Sequence, residues 1–211
     1  MRTKISFIAA AALAAGLASS MAQSSNVYSA NIVGYINVPM AAGAQTLLEN
    51  PLNNGTNDLV SIDNGAIPNK SSANIWNGTG FTGTSKTSGT WGTDFSLPPG
   101  TGFFVTPKTA ATITFIGSAP ASNNFALAAG VQVCVGALLP IAGNLNDAAG
   151  PNALNVGAQL PNKSSLNIWN GTGFTGTSKT SGTWGSNLAI GVGQGFFVTP
   201  KTAVTWNQWL Q

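Results

Sequence analysis

The chain has 211 residues, a formal net charge of +3, no histidine and only 6% charged residues. Arg2 and Lys4 account for two of the eight basic residues, and the other six are lysines spread singly along the chain. Because phosphate backbones require a basic patch, this distribution excludes a nucleic-acid partner. Solubility must come from neutral polar side chains, which suits a compact β protein or a self-associating one.

The first 22 residues are typical of an export signal. Arg2 and Lys4 form the charged start, residues 5–17 an apolar run, and residues 20–22 a cleavage site of small-x-small type. The run has 13 residues, and a helix needs ~20 to cross a bilayer. The sequence therefore predicts a protein that is secreted or held in the cell envelope, without an integral membrane span once the signal is cleaved.

An internal duplication organises the rest of the chain. The segment NIWNGTGFTGTSKTSGTWG at residues 74–92 recurs without change at residues 167–185, an offset of 93. The copies diverge outside this segment, and the AAG segments that precede each unit are related by an offset of 87. Fixed-period self-similarity indicates repeated structural units. We expect two tandem modules, at residues 23–120 and 121–211, behind a signal peptide at residues 1–22.

Short apolar stretches between Gly, Pro and Asn turns predict strands throughout both copies. The pattern lacks an amphipathic helix of useful length, and residues 53–67 are expected to form a loop with at most one helical turn. The fold class predicted is therefore all-β, with each module a β-sandwich or a small β-barrel. The expected strands of the first copy cover residues 26–39 and 45–49, a short strand that ends at residues 75–76, a strand from residue 81 onward, the apolar run at residues 103–105, and residues 111–116.

Two turns are predicted inside the duplicated segment. Asn77-Gly78 lies between apolar and aromatic residues, a strong signal for a hairpin with a type I′ turn. Ser88-Gly89 predicts a second turn just before Trp91. These turns would bring aromatic and threonine side chains onto one hairpin in each module.

One strand is in excess by this count. Residues 32–34 and 115–117 carry similar apolar strands before the two AAG turns, and residues 204–209 add a third strand of this kind. Two modules would need only two such strands. The surplus strand could pair within the chain, or it could complete the sheet of a neighbouring molecule.

Cys134 is the single cysteine of the chain. An odd thiol in an exported protein could join two chains through a disulfide. Its neighbours in VQVCV alternate as in a half-buried strand, and it aligns with Leu47 of the first copy. We expect a buried structural thiol.

The ordered motifs resemble a class of exported bacterial tandem β-module proteins without a characterised activity. The resemblance is carried by NIVGYINVPMAAG, TLLENPLN, IWNGTGF, LPPGTGFFV and TITFIG, in that order. Gly191-Val192 depart from it, since they replace Pro98-Pro99 in the second copy. The resemblance implies an extracellular or envelope location and a β fold.

The sequence lacks the sets of residues that enzymes commonly use for catalysis. A nucleophile triad needs a base, glycoside hydrolysis needs two carboxylates about 5–10 Å apart, and zinc or calcium needs a ligand set that the sequence lacks. We therefore expect no enzyme activity, no metal and no cofactor. The five acids, read as solvated turn residues, are Glu49, Asp58, Asp63, Asp94 and Asp147.

Aromatic side chains next to Asn-Gly-Thr turns are the best candidates for a ligand surface, because aromatic rings can stack on sugar rings while amides bind their hydroxyls. The alternative is that the rings belong to the module cores. The candidate ligand-binding residues are Trp76, Asn77, Phe81 and Trp91 of the first copy and Trp169, Asn170, Phe174 and Trp184 of the second.

Polar residues of the duplicated segment are repeated as strictly as the aromatic ones. Thr82, Thr84, Ser85, Lys86 and Thr87, which look exposed, all recur in the second copy. Either recombination has homogenised the repeats, or one surface is needed twice.

The sequence thus favours a non-enzymatic structural or adhesive protein of the cell surface or matrix that assembles with itself by strand exchange. The alternative is a carbohydrate-binding protein with two equivalent sites and a surface polysaccharide as partner. The two aromatic hairpins, one in each module, are compatible with both hypotheses.

Overall fold

Short antiparallel strands build both halves of the chain. The computed structural model describes residues 32–211; the predicted signal peptide and residues 23–31 lie outside the described residues. The first half contains β1 (Ile32–Met40), β2 (Thr46–Glu49), α1 (Leu59–Asp63), β3 (Ser72–Trp76), β4 (Phe81–Thr87), β5 (Thr90–Trp91), β6 (Gly102–Thr106) and β7 (Ala111–Ala119).

The second half repeats this order and adds one small sheet. Its elements are β8 (Ser122–Leu127), β9 (Val133–Val135), β10 (Gly143–Asn144), α2 (Val156–Gln159), β11 (Ser165–Trp169), β12 (Phe174–Thr180), β13 (Thr183–Trp184), β14 (Ala189–Ile190), β15 (Phe196–Thr199) and β16 (Val204–Trp209). The all-β prediction is confirmed, and the loop predicted at residues 53–67 contains the single short helix α1. No helix of the described residues is both long enough and apolar enough for a membrane crossing.

Each half is a five-stranded antiparallel sheet packed against a separate pair of strands. The sheet orders are β2-β6-β3-β4-β5 and β9-β15-β11-β12-β13, and the pairs are β1-β7 and β8-β16. The sheets of residues 32–211 stay open and do not close into barrels, so of the two predicted architectures the small barrel does not form.

Strand alternation places the core of each half between the sheet and the strand pair. In the first half, Phe103 and Val105 of β6 face Ile113 and Phe115 of β7. In the second half, Trp206 of β16 is fully buried and its indole N–H donates to the Leu154 carbonyl. Each large apolar side chain buried in this way stabilises the fold by about 1.5–3 kcal/mol.

Among residues 32–211, no strand is left over once the strands are paired. β1 pairs with β7 from Ile32 opposite Ala119 to Met40 opposite Ala111, and β16 pairs with β8. The count was wrong because the sequence of β8, SNNFAL, begins with three polar residues and was not recognised as a strand. Each half therefore carries its own pair, and every residue of β1 has a partner in β7.

The type I′ turn lies at the second of the two predicted positions. Ser88 and Gly89 have φ of 51° and 84°, between the paired residues Thr87 and Thr90. The loop at residues 77–80 has four residues, and its Gly78 has φ of 99°. A type I′ turn at Asn77 is wrong because the Asn77 side chain closes the loop instead, accepting hydrogen bonds from the Thr79 and Gly80 amides.

The two halves join through equivalent strand edges. Leu48 of β2 bridges to Gln194 in the second half, and Val135 of β9 bridges to Thr101 in the first. The Glu49 amide donates to the Gly193 carbonyl at 3.0 Å, and the amide of Gly136, at the equivalent position, donates to Gly100 at 2.9 Å. Each half thus uses equivalent residues to contact the other, as two subunits do when they associate with twofold symmetry. Residues 31–211 form one compact unit.

Candidate ligand-binding cleft

The outer face of each five-stranded sheet carries three aromatic rings. Trp76 and Phe81 are opposite each other on β3 and β4, and Phe104 of β6 lies beside them on the same face, opposite Asn74. Alternation puts the neighbours of these residues, such as Phe103, into the core. The second half presents Trp169, Phe174 and Phe197 in the same way.

These six rings meet across the junction in a single cluster, which we call the aromatic cluster. Phe104 and Phe197 lie at its centre, 2% and 3% exposed. The Trp76 ring contacts Phe197 of the opposite half at a centroid distance of 5.7 Å, and Trp169 contacts Phe104 at 5.5 Å. Most pairs are edge-to-face, an arrangement favoured by the ring quadrupoles. The two predicted aromatic hairpins therefore form one surface.

Reciprocal hydrogen bonds fix the two indole rings. Trp76 Nε1 donates to the Gln132 carbonyl at 3.0 Å, and Trp169 Nε1 donates to the Gln45 carbonyl at 2.7 Å. Gln45 and Gln132 occupy equivalent positions just before β2 and β9. Each half therefore satisfies the indole of the other, and both rings are held before any ligand arrives.

A cleft of about 290 Å³ opens beside the aromatic cluster. Phe81 and Phe174 are 50% and 49% exposed, a high exposure for large aromatic side chains. Apolar rings with a few amide groups are the usual lining of a small-molecule site. The lining residues are Trp76, Phe81, Gln132, Asn167, Phe174 and Phe197.

A glycine opposite Asn167 shapes the floor of this surface. Asn167 on β11 pairs with Gly176 on β12, and a Cβ at Gly176 would overlap the Asn167 side-chain oxygen. Asn74 and Gly83 repeat the pair in the first half, where the Cβ would lie 2.7 Å from Asn74 Oδ1. Glycine at these strand positions lets the amide lie across the neighbouring strand.

Trp91 and Trp184 do not belong to this surface, which corrects their assignment as ligand-binding residues. They are 5% and 3% exposed and lie in the cores of the two halves. Their indole N–H groups donate to Asp63 Oδ2 at 2.9 Å and to the Gly157 carbonyl at 3.0 Å. Both sit on inward-facing positions of the short edge strands β5 and β13.

Asn77 and Asn170 lie next to the cleft but hold the hairpin loops. The Asn170 side chain accepts hydrogen bonds from the Thr172 and Gly173 amides, as Asn77 does in the first half. Their amide groups donate to Thr82 and Thr175 on the following strands. Their role is to position Phe81 and Phe174.

Two of the repeated polar residues point inward, contrary to their predicted exposure. Thr84 and Lys86 are 8% and 4% exposed. Lys86 Nζ lies 2.5 Å from Asp63 Oδ2 and donates to the Ile67 carbonyl at 2.8 Å. Lys179 is equally buried, donates to the carbonyls of Gly157, Ala158 and Leu160, and has its pKa lowered by desolvation. Core packing therefore accounts for part of the strict repetition.

The acidic residues occupy separate structural positions. Asp58 caps α1, Asp63 pairs with Lys86, and Asp94 accepts a hydrogen bond from the Val60 amide. Asp147 accepts one from the Asn144 amide, and Glu49 is buried at the junction. Within residues 32–211, no three His, Cys, Asp or Glu side chains come together as metal ligands would. The predicted solvated turn role is wrong for Glu49 and Asp63.

Cys134 is half-buried in the aromatic cluster, beside Leu47, Phe104 and Phe197. Burial raises the pKa of its thiol to about 12. Reactivity requires the thiolate, so this thiol stays protonated and acts as a small apolar group at neutral pH. Cys134 and Leu47, which align between the two copies, occupy equivalent positions beside the aromatic cluster.

Sequence reasoning missed five residues of this region: Phe104, Phe197, Gln45, Gln132 and Asn167. A signal for the glutamines exists, because they align at an offset of 87. Comparison of the chain with protein-family models, curated proteins and solved structures finds no match. The resemblance to exported tandem β modules stays a prediction, and the candidate site is argued from its geometry.

Proposed function

We propose that this chain is an exported, non-enzymatic adhesive protein that binds carbohydrate at the cleft formed by the aromatic cluster. The observation that carries the proposal is the convergence of both aromatic hairpins on one cleft across the junction. Phe81 and Phe174 stay half exposed there. The proposal replaces two equivalent sites with one composite site.

The chemistry of the lining favours an uncharged sugar. Pyranose rings present apolar C–H faces that pack on exposed phenyl rings and release water. The side-chain amide of Asn167 offers both a donor and an acceptor to hydroxyl groups. None of the six lining residues carries a charge, so an anionic polysaccharide would find no ion-pair partner in the cleft.

Binding to neutral polysaccharides, followed by titration calorimetry, tests this proposal. We expect one ligand segment per chain, and a loss of affinity of about tenfold or more for Phe81→Ala and for Phe174→Ala. Val60→Ala is the matched control, since Val60 is 49% exposed on α1, outside the cleft lining. Two independent sites of equal affinity, or unchanged affinity in both phenylalanine variants, would contradict the composite site.

Self-association remains a second candidate, favoured by a different observation. Tyr35 and Ile116 are directly paired on β1 and β7 and are 74% and 54% exposed. Strand exchange loses its main support because β1 is paired within the chain. Association through this exposed face predicts that the Tyr35→Ser/Ile116→Thr double variant sediments as a monomer at concentrations where the wild-type protein forms larger species. A monomeric wild type would remove this candidate.

A further inference from the structure

Glu49, the last residue of β2, has its carboxyl group enclosed in the junction. The residue is 0% exposed. Oε1 accepts a single long hydrogen bond, 3.3 Å, from the Gly193 amide of the opposite half. Oε2 is buried and has no hydrogen-bond partner among the described residues. A carboxylate in such a place would lack the partners that a buried charge requires.

The opposite half makes room for this side chain. Gly136 is the equivalent of Glu49 in the second copy, and a Cβ at Gly136 would overlap the Glu49 side chain. The glutamate of one copy thus occupies the space where the other copy has no side chain. Any separation of the two halves would uncover the carboxyl group.

No charged group faces Glu49 in the described junction. The segments that contact it contribute the backbone of Gly100, Gly136 and Gly193, and the preceding β9 contributes the Cys134 thiol, itself kept neutral by burial. The one ion pair of residues 32–211 joins Lys86 and Asp63 in the first core. Desolvation raises the Glu49 pKa well above its usual value, and the amides of Gly193 and Gly100 oppose this only in part.

We propose that Glu49 makes the junction pH-dependent: protonated, it lets the two halves close and assemble the aromatic cluster, and ionised, it drives them apart. The opening of the junction follows from the burial of Glu49 alone. Its effect on sugar binding rests on the function proposed above, because the cleft exists only while both halves are joined.

The direction of the effect follows from proton linkage. In the open junction Glu49 is solvated and titrates near the ordinary glutamate pKa of 4.5; in the closed junction its pKa is higher. Well below pH 4.5 the carboxyl is protonated in both states, so the junction has its full stability. As pH rises towards the closed-state pKa, opening releases one proton, and the equilibrium shifts towards the open state by up to about tenfold per pH unit. Above that pKa the shift ends.

Hydrogen exchange of the full chain, compared between wild type and Glu49→Gln, measures this opening. Glutamine has the same size and does not ionise. At each pH the ratio of wild-type to variant exchange rates, read at the Glu49 and Gly136 amides, cancels the intrinsic pH dependence of exchange. We expect this ratio to rise with pH by up to about tenfold per unit above pH 4.5, and to stay near one in β4 and β12.

A ratio that does not change with pH overturns the proposal, and so does a ratio that rises equally in β4 and β12, since the carboxyl would then act on the whole fold. Glu49→Met, apolar and of similar length, replaces the glutamine variant if the latter does not fold. Polysaccharide affinity of the wild type should fall over the same pH range in which the ratio rises. If the ratio rises but no polysaccharide binds at any pH, only the proposed function fails.

Discussion

Lys86 and Lys179 occupy the same position in two identical stretches of sequence, yet the two halves of the molecule neutralise them differently. Both donate to one equivalent carbonyl, that of Ile67 or Leu160, at 2.8 Å. Lys86 also forms an ion pair with the Asp63 carboxylate, whereas Lys179 also donates hydrogen bonds to the carbonyls of Gly157 and Ala158 in α2. The lysine is identical in the two copies because it points into the core in both, whereas the helix segments that surround it have different sequences.

Removing the two lysines gives the largest expected difference between the halves. Lys86→Met leaves the buried Asp63 carboxylate without its counter-charge, which costs about 3–5 kcal/mol. Lys179→Met leaves only neutral carbonyls without a donor, which costs about 1–3 kcal/mol. Urea unfolding of the two variants measures both values. Equal losses of unfolding free energy would mean that the ion pair with Asp63 makes the removal of Lys86 no more costly than the removal of Lys179.

Substitutions in the turns after β4 and β12 should instead have equal effects in the two halves. Gly89 and Gly182 have φ of 84° and 86°, a region that costs other residues about 1–2 kcal/mol. Gly89→Ala and Gly182→Ala should each lower the free energy of unfolding by that amount, as measured by urea denaturation. Gly80→Ala serves as the control, since a Cβ there meets no atom within 4 Å. A control loss as large as that of the turn variants would refute the φ argument.

The reciprocal indole bonds should give the smallest and most nearly matched effects. Trp76→Phe and Trp169→Phe each remove one donor to a carbonyl of the opposite half, a loss of about 1 kcal/mol for the hydrogen bond. Chemical denaturation should give similar values for the two variants, because the Gln132 and Gln45 carbonyls are equivalent acceptors. A measurable loss in only one variant would show that the junction is not energetically symmetric.

The sequence predicts what depends on local pattern and repetition. Asn-Gly and Ser-Gly turns between β-prone residues indicate hairpins, and the offsets of 87 and 93 relate the copies. β8 escaped recognition because SNNFAL derives its pairing from β16, about 80 residues later in the chain. Lys86 looked exposed because its partner Asp63 lies in another element, so local alternation could not assign its face.

The site was harder to foresee than the fold. Trp76 is a sequence-based candidate that lies at the cleft, but its neighbours Phe197 and Gln132 belong to the other half, and no local signal joins them. Trp91 is also a tryptophan beside a turn, yet it faces the core. Distinguishing the two requires the strand register, which fixes the face of each residue.

The facing of Glu49 and Gly136 has a consequence for how such a molecule can evolve. If two identical chains associated through this contact, one codon would specify both positions, and a glutamate would meet a glutamate. Fusion of the copies in one reading frame frees the two positions to mutate independently. The enclosed carboxyl therefore requires two copies of different sequence, and fusion provides both in one chain.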